Sequence, residues 1–141
     1  MPTHIKAKIV ARLVEFFGDD FRRIEHALSV LKRAEEIGEG RPGWDYDVLI
    51  GSALLHDVGI KPSEEKLGYN NGHTQERYGP PEARRLLQGV GLAEDAIRKV
   101  CEIIGNHHSP SRYDYVELDI LKQADRIVNR EESGGGAQRT S

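Results

Sequence analysis

Six histidines and a single cysteine, Cys101, set the chemistry open to this chain of 141 residues. One cysteine can form neither an internal disulfide nor a cysteine zinc cluster, so a metal site would have to use nitrogen and oxygen ligands. Such donors gather at four places: His26, the pair His56-Asp57, the pair His107-His108, and Asp125. Taken singly, each has an ordinary reading. A histidine such as His26 is usually hydrogen-bonded on a helix, and a carboxylate such as Asp125 is usually a partly solvated charge or an ion-pair partner. Taken together, they fall on separate helical segments, each at or near the apolar side. Helices packed around one core can bring such a set together, as in carboxylate–histidine metal proteins. Charged groups pointing inward are costly unless paired or bound to metal.

The elements that must position these donors are read from hydrophobic spacing. Ile5, Ile9, Val10, Leu13, Val14 and Phe17 recur at three- and four-residue steps, which predicts a helix over 4–17 ended by Gly18. Asp19-Asp20 supplies an N-cap for a second helix. Its stripe of Ile24, Ala27, Leu28, Leu31, Ala34 and Ile37 leads to Gly38, with His26 at the stripe's edge. Residues 48–55 carry no charge on any face, which predicts a buried central helix, with a parallel strand as the competing reading. His56-Asp57 closes this segment.

Residues 60–79 hold no sustained period and contain Pro62, Gly68, Asn70, Asn71, Gly72 and Gly79, which predicts a long loop of a kind that is often functional. Pro80-Pro81 then opens a helix running through Ala83, Leu86 and Leu87 to Gly89. The next helix begins near Ala93 and carries Ile97, Val100, Cys101 and Ile104, a stripe that His107 and His108 extend before Pro110. A last helix from about Val116 presents Leu118, Leu121, Ala124, Ile127 and Val128, with Asp125 inside that stripe. From Glu131 onward, Ser133-Gly134-Gly135-Gly136 and the absence of large apolar residues predict a disordered tail. The expected fold is all-α: one domain over 1–130, a compact bundle of about six to seven helices whose first helix, 4–17, packs on a core of 20–130.

Composition bounds the partners. With 38% hydrophobic residues the chain can bury a core, and a net charge of −3 without a basic stripe argues against a dedicated nucleic-acid binder. No apolar run of membrane length and no basic-then-apolar leader is present, so a cytoplasmic protein with no membrane partner is expected. Oligomeric state is left open, since the apolar helix from Ile5 to Phe17 could pack on a second copy, as a homodimer, as easily as on its own core.

The spacing His26, then His56-Asp57, then Asp125 resembles the H…HD…D pattern of the HD-domain superfamily of metal-dependent phosphohydrolases. The flanking text is similar as well: Arg23-Ile24-Glu25-His26-Ala27-Leu28, Leu54-Leu55-His56-Asp57-Val58-Gly59 and Leu121-Lys122-Gln123-Ala124-Asp125-Arg126. The resemblance implies a helical domain with a metal held by His26, His56, Asp57 and Asp125. Imidazole plus carboxylate suits a divalent transition metal such as iron, manganese, cobalt, nickel or zinc. Such an ion would lower the pKa of bound water and polarise a phosphoryl oxygen.

Some members of the superfamily carry further histidines and hold two ions. His107 and His108 match the later of those positions. At the earlier one this chain has Tyr78, just before Gly79-Pro80-Pro81-Glu82-Ala83, and His73 and Glu76 are the nearby substitutes. The run Gln75-Glu76-Arg77-Tyr78-Gly79-Pro80-Pro81 resembles a Gln-Glu-x-x-Gly-Pro-Pro signature within the superfamily, which favours Glu76. Where the nucleotide hydrolases of the superfamily place an acidic residue after the HD pair, this chain has Val58-Gly59-Ile60-Lys61-Pro62. Lys61 is therefore assigned beside Asp57 in the catalytic set, as a phosphate-binding cation. Arg84, Arg85, Arg112, Lys122 and Arg126 are weaker candidates for that role, and Tyr69, Tyr78 and Trp44 for stacking a base. The implied function is hydrolysis of a phosphomonoester or phosphodiester in a small phosphorylated substrate such as a nucleotide. Two alternatives are an HD-type diiron oxygenase and a non-catalytic metal- or ligand-binding module using residues 60–79 as its surface.

Overall fold

The computed structural model describes the backbone of residues 2–140 and the side chains of residues 4–134. Among the described residues seven helices follow one another: α1 (Pro2–Phe17), α2 (Phe21–Glu39), α3 (Tyr46–Leu55), α4 (Ile60–Leu67), α5 (Gly72–Leu87), α6 (Glu94–Ile104) and α7 (Val116–Thr140). No strand occurs among the described residues, so the fold is all-α. None of these helices is long and apolar enough to cross a membrane.

The uncharged run becomes the hub. Every residue of α3 from Val48 to Leu55 is buried, which resolves the choice between helix and strand. A helix apolar on all sides needs neighbours on all sides, and α1, α2, α5, α6 and α7 supply them. Gly51 lets α6 come close, since a Cβ there would stand 3.1 Å from a Val100 methyl. Asp45 caps the start of α3 by accepting from Val48 N at 3.1 Å. Asp45 N in turn donates to Glu117 at 2.6 Å, and the other oxygen of that buried carboxylate lies 3.1 Å from Lys99 Nζ. Ile9, Leu13 and Phe17 of α1 are buried against the chain's own core, while Val14 faces outward.

Three expectations need correction. Residues 60–79 are not a loop: α4 occupies 60–67 and α5 begins at Gly72. The segment is polar because both helices lie on the surface, and it is tied by side chains rather than by apolar period. Asn71 and Thr74 form a reciprocal capping box, and Ser63 Oγ donates to Thr74 Oγ1 at 2.7 Å. Second, Pro80 and Pro81 lie inside α5 rather than at its first turn. Proline removes a helix donor and crowds the preceding turn, and here packing decides the matter. Gly59 lies so close to α5 that a Cβ on it would come within 2.7 Å of Gly79 N, and one on Gly79 within 2.7 Å of an Ile104 methyl. Third, the expected disordered tail is helical, with α7 continuing to Thr140. Glu131 pairs with Arg33 and Glu132 with His26, so α2 carries α7 past the point where its apolar stripe ends.

Candidate metal centre

Four elements meet at the donors. His26 comes from the middle of α2, His56 and Asp57 follow the last residue of α3, His107 and His108 stand in the turn after α6, and Asp125 projects from α7. The close packing of α7 on both α2 and α3 makes the meeting possible. Chain continuity alone could not, because 99 residues separate His26 from Asp125.

His26 Nε2 and His56 Nε2 face the same two carboxylates. They lie 3.2 and 3.3 Å from Asp125 Oδ1, and each lies 3.4 Å from Asp57 Oδ2. His26, His56 and Asp57 form one group whose donor atoms lie within 4.8 Å of one another, and Asp57, His107 and His108 form a second. Asp57 belongs to both. The ring of His107 meets that of His56 edge-on at 5.5 Å and lies 3.9 Å from that of His108.

Whether this set fits a metal is tested by its unmet polar atoms. Among the described residues, Nε2 of His56 and Nε2 of His107 are buried and make no well-directed hydrogen bond, His56 having only the charge contacts just described. Each ring is fixed at its other nitrogen, Nδ1 donating to Ala53 O at 2.8 Å and to Ile104 O at 2.6 Å. A buried polar atom left without a hydrogen bond costs about 1–3 kcal/mol. Two of them, oriented by their far nitrogens and set beside an aspartate shared by two donor groups, suit a divalent cation bound by imidazole and carboxylate.

The charge balance agrees. Burial pulls the His56 imidazole down, yet Asp57 and Asp125 outweigh it and hold the pKa up at about 9. Burial likewise opposes the charged form of His26, and the Asp125 hydrogen bond with help from Asp57 and Glu132 raises its pKa overall. Asp125, despite burial, is held well below the usual carboxylate range by those two histidines. For His107 the balance runs the other way. Burial, with His56 and His108 nearby, pushes it down to about 4, the Ile104 carbonyl and Asp57 opposing too weakly. The surrounding carboxylates thus bias both His26 and His56 toward the charged form.

Two cavities open on the centre. One, of about 400 Å³, is lined by Arg22, Arg23, His26, Asp57, Asn129 and Glu132 together with Asp20. The other, of about 370 Å³, has His107, His108, Asp125, Lys122, Arg126 and Asn129 on its walls. Lys122 Nζ donates to Ser109 O at 2.6 Å and to Ser111 Oγ at 2.7 Å. Burial lowers its pKa.

Several candidates lie elsewhere. Lys61 lines a separate cavity with Glu15, Glu65 and Glu82. Its ammonium donates to Phe16 O at 3.3 Å and sits over the Phe16 ring, so it fastens α4 to the end of α1 and does not reach the donors. Glu76 is not in either donor group. It accepts from His108 N at 2.8 Å and from Ser109 Oγ at 2.6 Å, which ties down the turn carrying the histidine pair. His73 is exposed and belongs to neither group. Arg84 and Arg85 pair with Glu94 and Glu82, and Arg112 donates to Gly105 O at 3.1 Å. Trp44 Nε1 donates to Gly38 O at 2.8 Å, Tyr78 packs under Arg77, and Tyr69 is exposed; none lines either cavity at the centre.

Residues not singled out from the sequence also reach the centre. Gln75, nearly buried, accepts from His108 Nε2 at 2.7 Å. Asn129 borders both cavities, and Glu132 faces His26 Nδ1 at 3.0 Å. Asn129 and Glu132 stand four and seven residues after Asp125, the spacing of one helix face, which is the signal that could have found them.

No curated protein and no solved structure matches the chain. A family model described as the HD domain does, over residues 23–130, a span that opens three residues before His26 and closes five after Asp125. That span is well over half of the chain and takes in every donor that α2, α3, α6 and α7 bring together, and the chain therefore belongs to the HD domain family.

Proposed function

We propose that this protein is a metal-dependent phosphohydrolase that cleaves a phosphomonoester or phosphodiester in a nucleotide or another small phosphorylated metabolite. The observation that carries the reading is the pair of buried, oriented Nε2 atoms, on His56 and His107, that share Asp57 as their common carboxylate neighbour beside an open cavity. A divalent transition metal, when bound, supplies a Lewis acid for the phosphoryl group and hydroxide near neutral pH. His26, His56, Asp57 and Asp125 would hold one ion, and Asp57, His107 and His108 a second.

The remaining roles fall to the chain's own groups. Lys122 and Arg126 line the cavity beside the histidine pair and present positive charge to a phosphate there. Lys122 is held in place by its two oxygen acceptors, whereas Arg126 is exposed and makes no ion pair among the described residues. Arg22 and Arg23 line the other cavity, so a substrate with charge on both sides of its scissile bond meets cations at each end. Gln75 and Glu76 steady the turn that carries His107 and His108.

The test is anaerobic purification, a metal count, and assays on a generic phosphodiester and a panel of nucleotides. Hydrolysis that chelation abolishes and added manganese or cobalt restores supports the reading. Turnover that requires oxygen overturns it in favour of an oxidative reaction, and tight metal without turnover on any substrate overturns it in favour of a binding module.

A further inference from the structure

His56 and His107 are both oriented by backbone. Each stands just past a helix end and donates Nδ1–H to the carbonyl three residues earlier, one of the carbonyls that a helix end leaves free. His26 has no such choice. It lies inside α2, where the carbonyls are engaged in the helix's own ladder. Its Nδ1 instead faces both oxygens of Glu132, at 3.0 and 3.1 Å, while Nε2 faces Asp57 and Asp125. Glu132 comes seven residues after Asp125, two turns along the same face of α7. It also lies beyond residue 130, where the family match ends.

We propose that Glu132 is a positioning residue for the metal centre: its carboxylate holds His26 by Nδ1, so that Nε2 is the nitrogen presented to the ion. The proposal rests on the metal-binding reading given above. With Nδ1–H given to Glu132, tautomer and ring angle are both set, and a carboxylate there makes the ligand nitrogen more basic. This does for a mid-helix histidine what Ala53 O and Ile104 O do for the other two. Glu132 is half exposed on a cavity wall, so it can be replaced without opening the core. Its neighbour Glu131 pairs with Arg33 and docks the same turn of α7 on α2 without touching a histidine.

The measurement is cobalt(II) affinity of the full-length protein, read by competition with a chromophoric chelator. Glu132→Gln weakens binding about 10- to 100-fold and shifts the cobalt absorption bands, and Glu132→Ala weakens it at least as much. Glu131→Gln leaves affinity unchanged. In a His26→Ala background Glu132→Gln has no further effect, because the two act through one ligand, whereas independent structural damage would add. Wild-type affinity in Glu132→Gln overturns the proposal, as does equal weakening by Glu131→Gln, which would assign the effect to helix docking. If the wild-type protein binds no cobalt, the metal reading itself fails, an outcome distinct from either.

Discussion

Asp57 is the residue on which the centre turns, because its carboxylate belongs to both donor groups and stands 3.4 Å from two imidazole nitrogens. Replacing it removes a ligand from each group at once. Asp57→Ala is expected to lose all bound metal, whereas His108→Ala, which touches only one group, should keep about half; elemental analysis of the purified variants distinguishes the two. A full metal complement in Asp57→Ala would refute the ligand set. The cations separate along the same lines. Arg126 faces the cavity and makes no ion pair among the described residues, so Arg126→Ala should raise KM about tenfold while leaving kcat nearly intact, the pattern of a group that binds substrate and transition state alike. A fall in kcat with KM unchanged would place Arg126 in the chemical step instead.

At the scale of elements, close approach matters more than propensity. The crossing of the α3–α4 turn over α5 depends on Gly59, where a Cβ would come 2.6 Å from Gln75 O and 2.7 Å from Gly79 N. Both are backbone atoms, so a side chain cannot swing aside to make room. Gly59→Ala is expected to cost about 1–3 kcal/mol, the range for overpacking, and to disturb the turn that leads out of Asp57. Denaturant unfolding checks the first effect and metal content the second, and a wild-type midpoint would show that α5 can retreat. The start of α3 offers an independent test. Glu117 is buried, accepts the Asp45 N–H and faces Lys99, so Glu117→Ala should cost about 2–3 kcal/mol and fray the helix that delivers His56.

For the whole molecule the histidines make stability depend on pH in the metal-free state. His56 has its folded pKa raised to about 9, so its contribution is complete below the unfolded value of about 6.5 and is lost as pH rises through about 9. His26 is raised too and acts in the same direction. His107 is lowered to about 4, so the folded form resists a proton the unfolded chain accepts, and stability is lost as pH falls from about 6.5 toward 4. Asp125, also lowered, adds an acid loss only below about pH 4. In chelator, the melting temperature should therefore peak near pH 6–7 and decline on both sides. Metal must displace the protons of His26 and His56, so the stabilisation it adds should grow as pH rises from about 6 to 9. A flat profile in chelator between pH 4 and 9 would show that these charges are not buried together.

Much of this protein is legible along the chain. The three- and four-residue period marks α1, α2, α6 and the first part of α7, because burial of one face repeats with the helix turn. Donor types and their spacing single out His26, His56, Asp57, His107, His108 and Asp125, and the family match confirms the kinship they suggest. The helix α4 and the first half of α5 were illegible for a physical reason: they are tied together by a capping box and a buried hydroxyl contact, which leave no apolar period, and Pro80-Pro81 mimic a helix start. Which groups face the centre was likewise decided only in three dimensions. Lys61 follows Asp57 by four residues yet is carried away by α4 to Phe16, while Gln75 and Glu132, distant in sequence, close on His108 and His26. Periodicity records how one helix meets the core. The partner of a side chain on another helix depends on how the two pack, and that is a property of the tertiary structure alone.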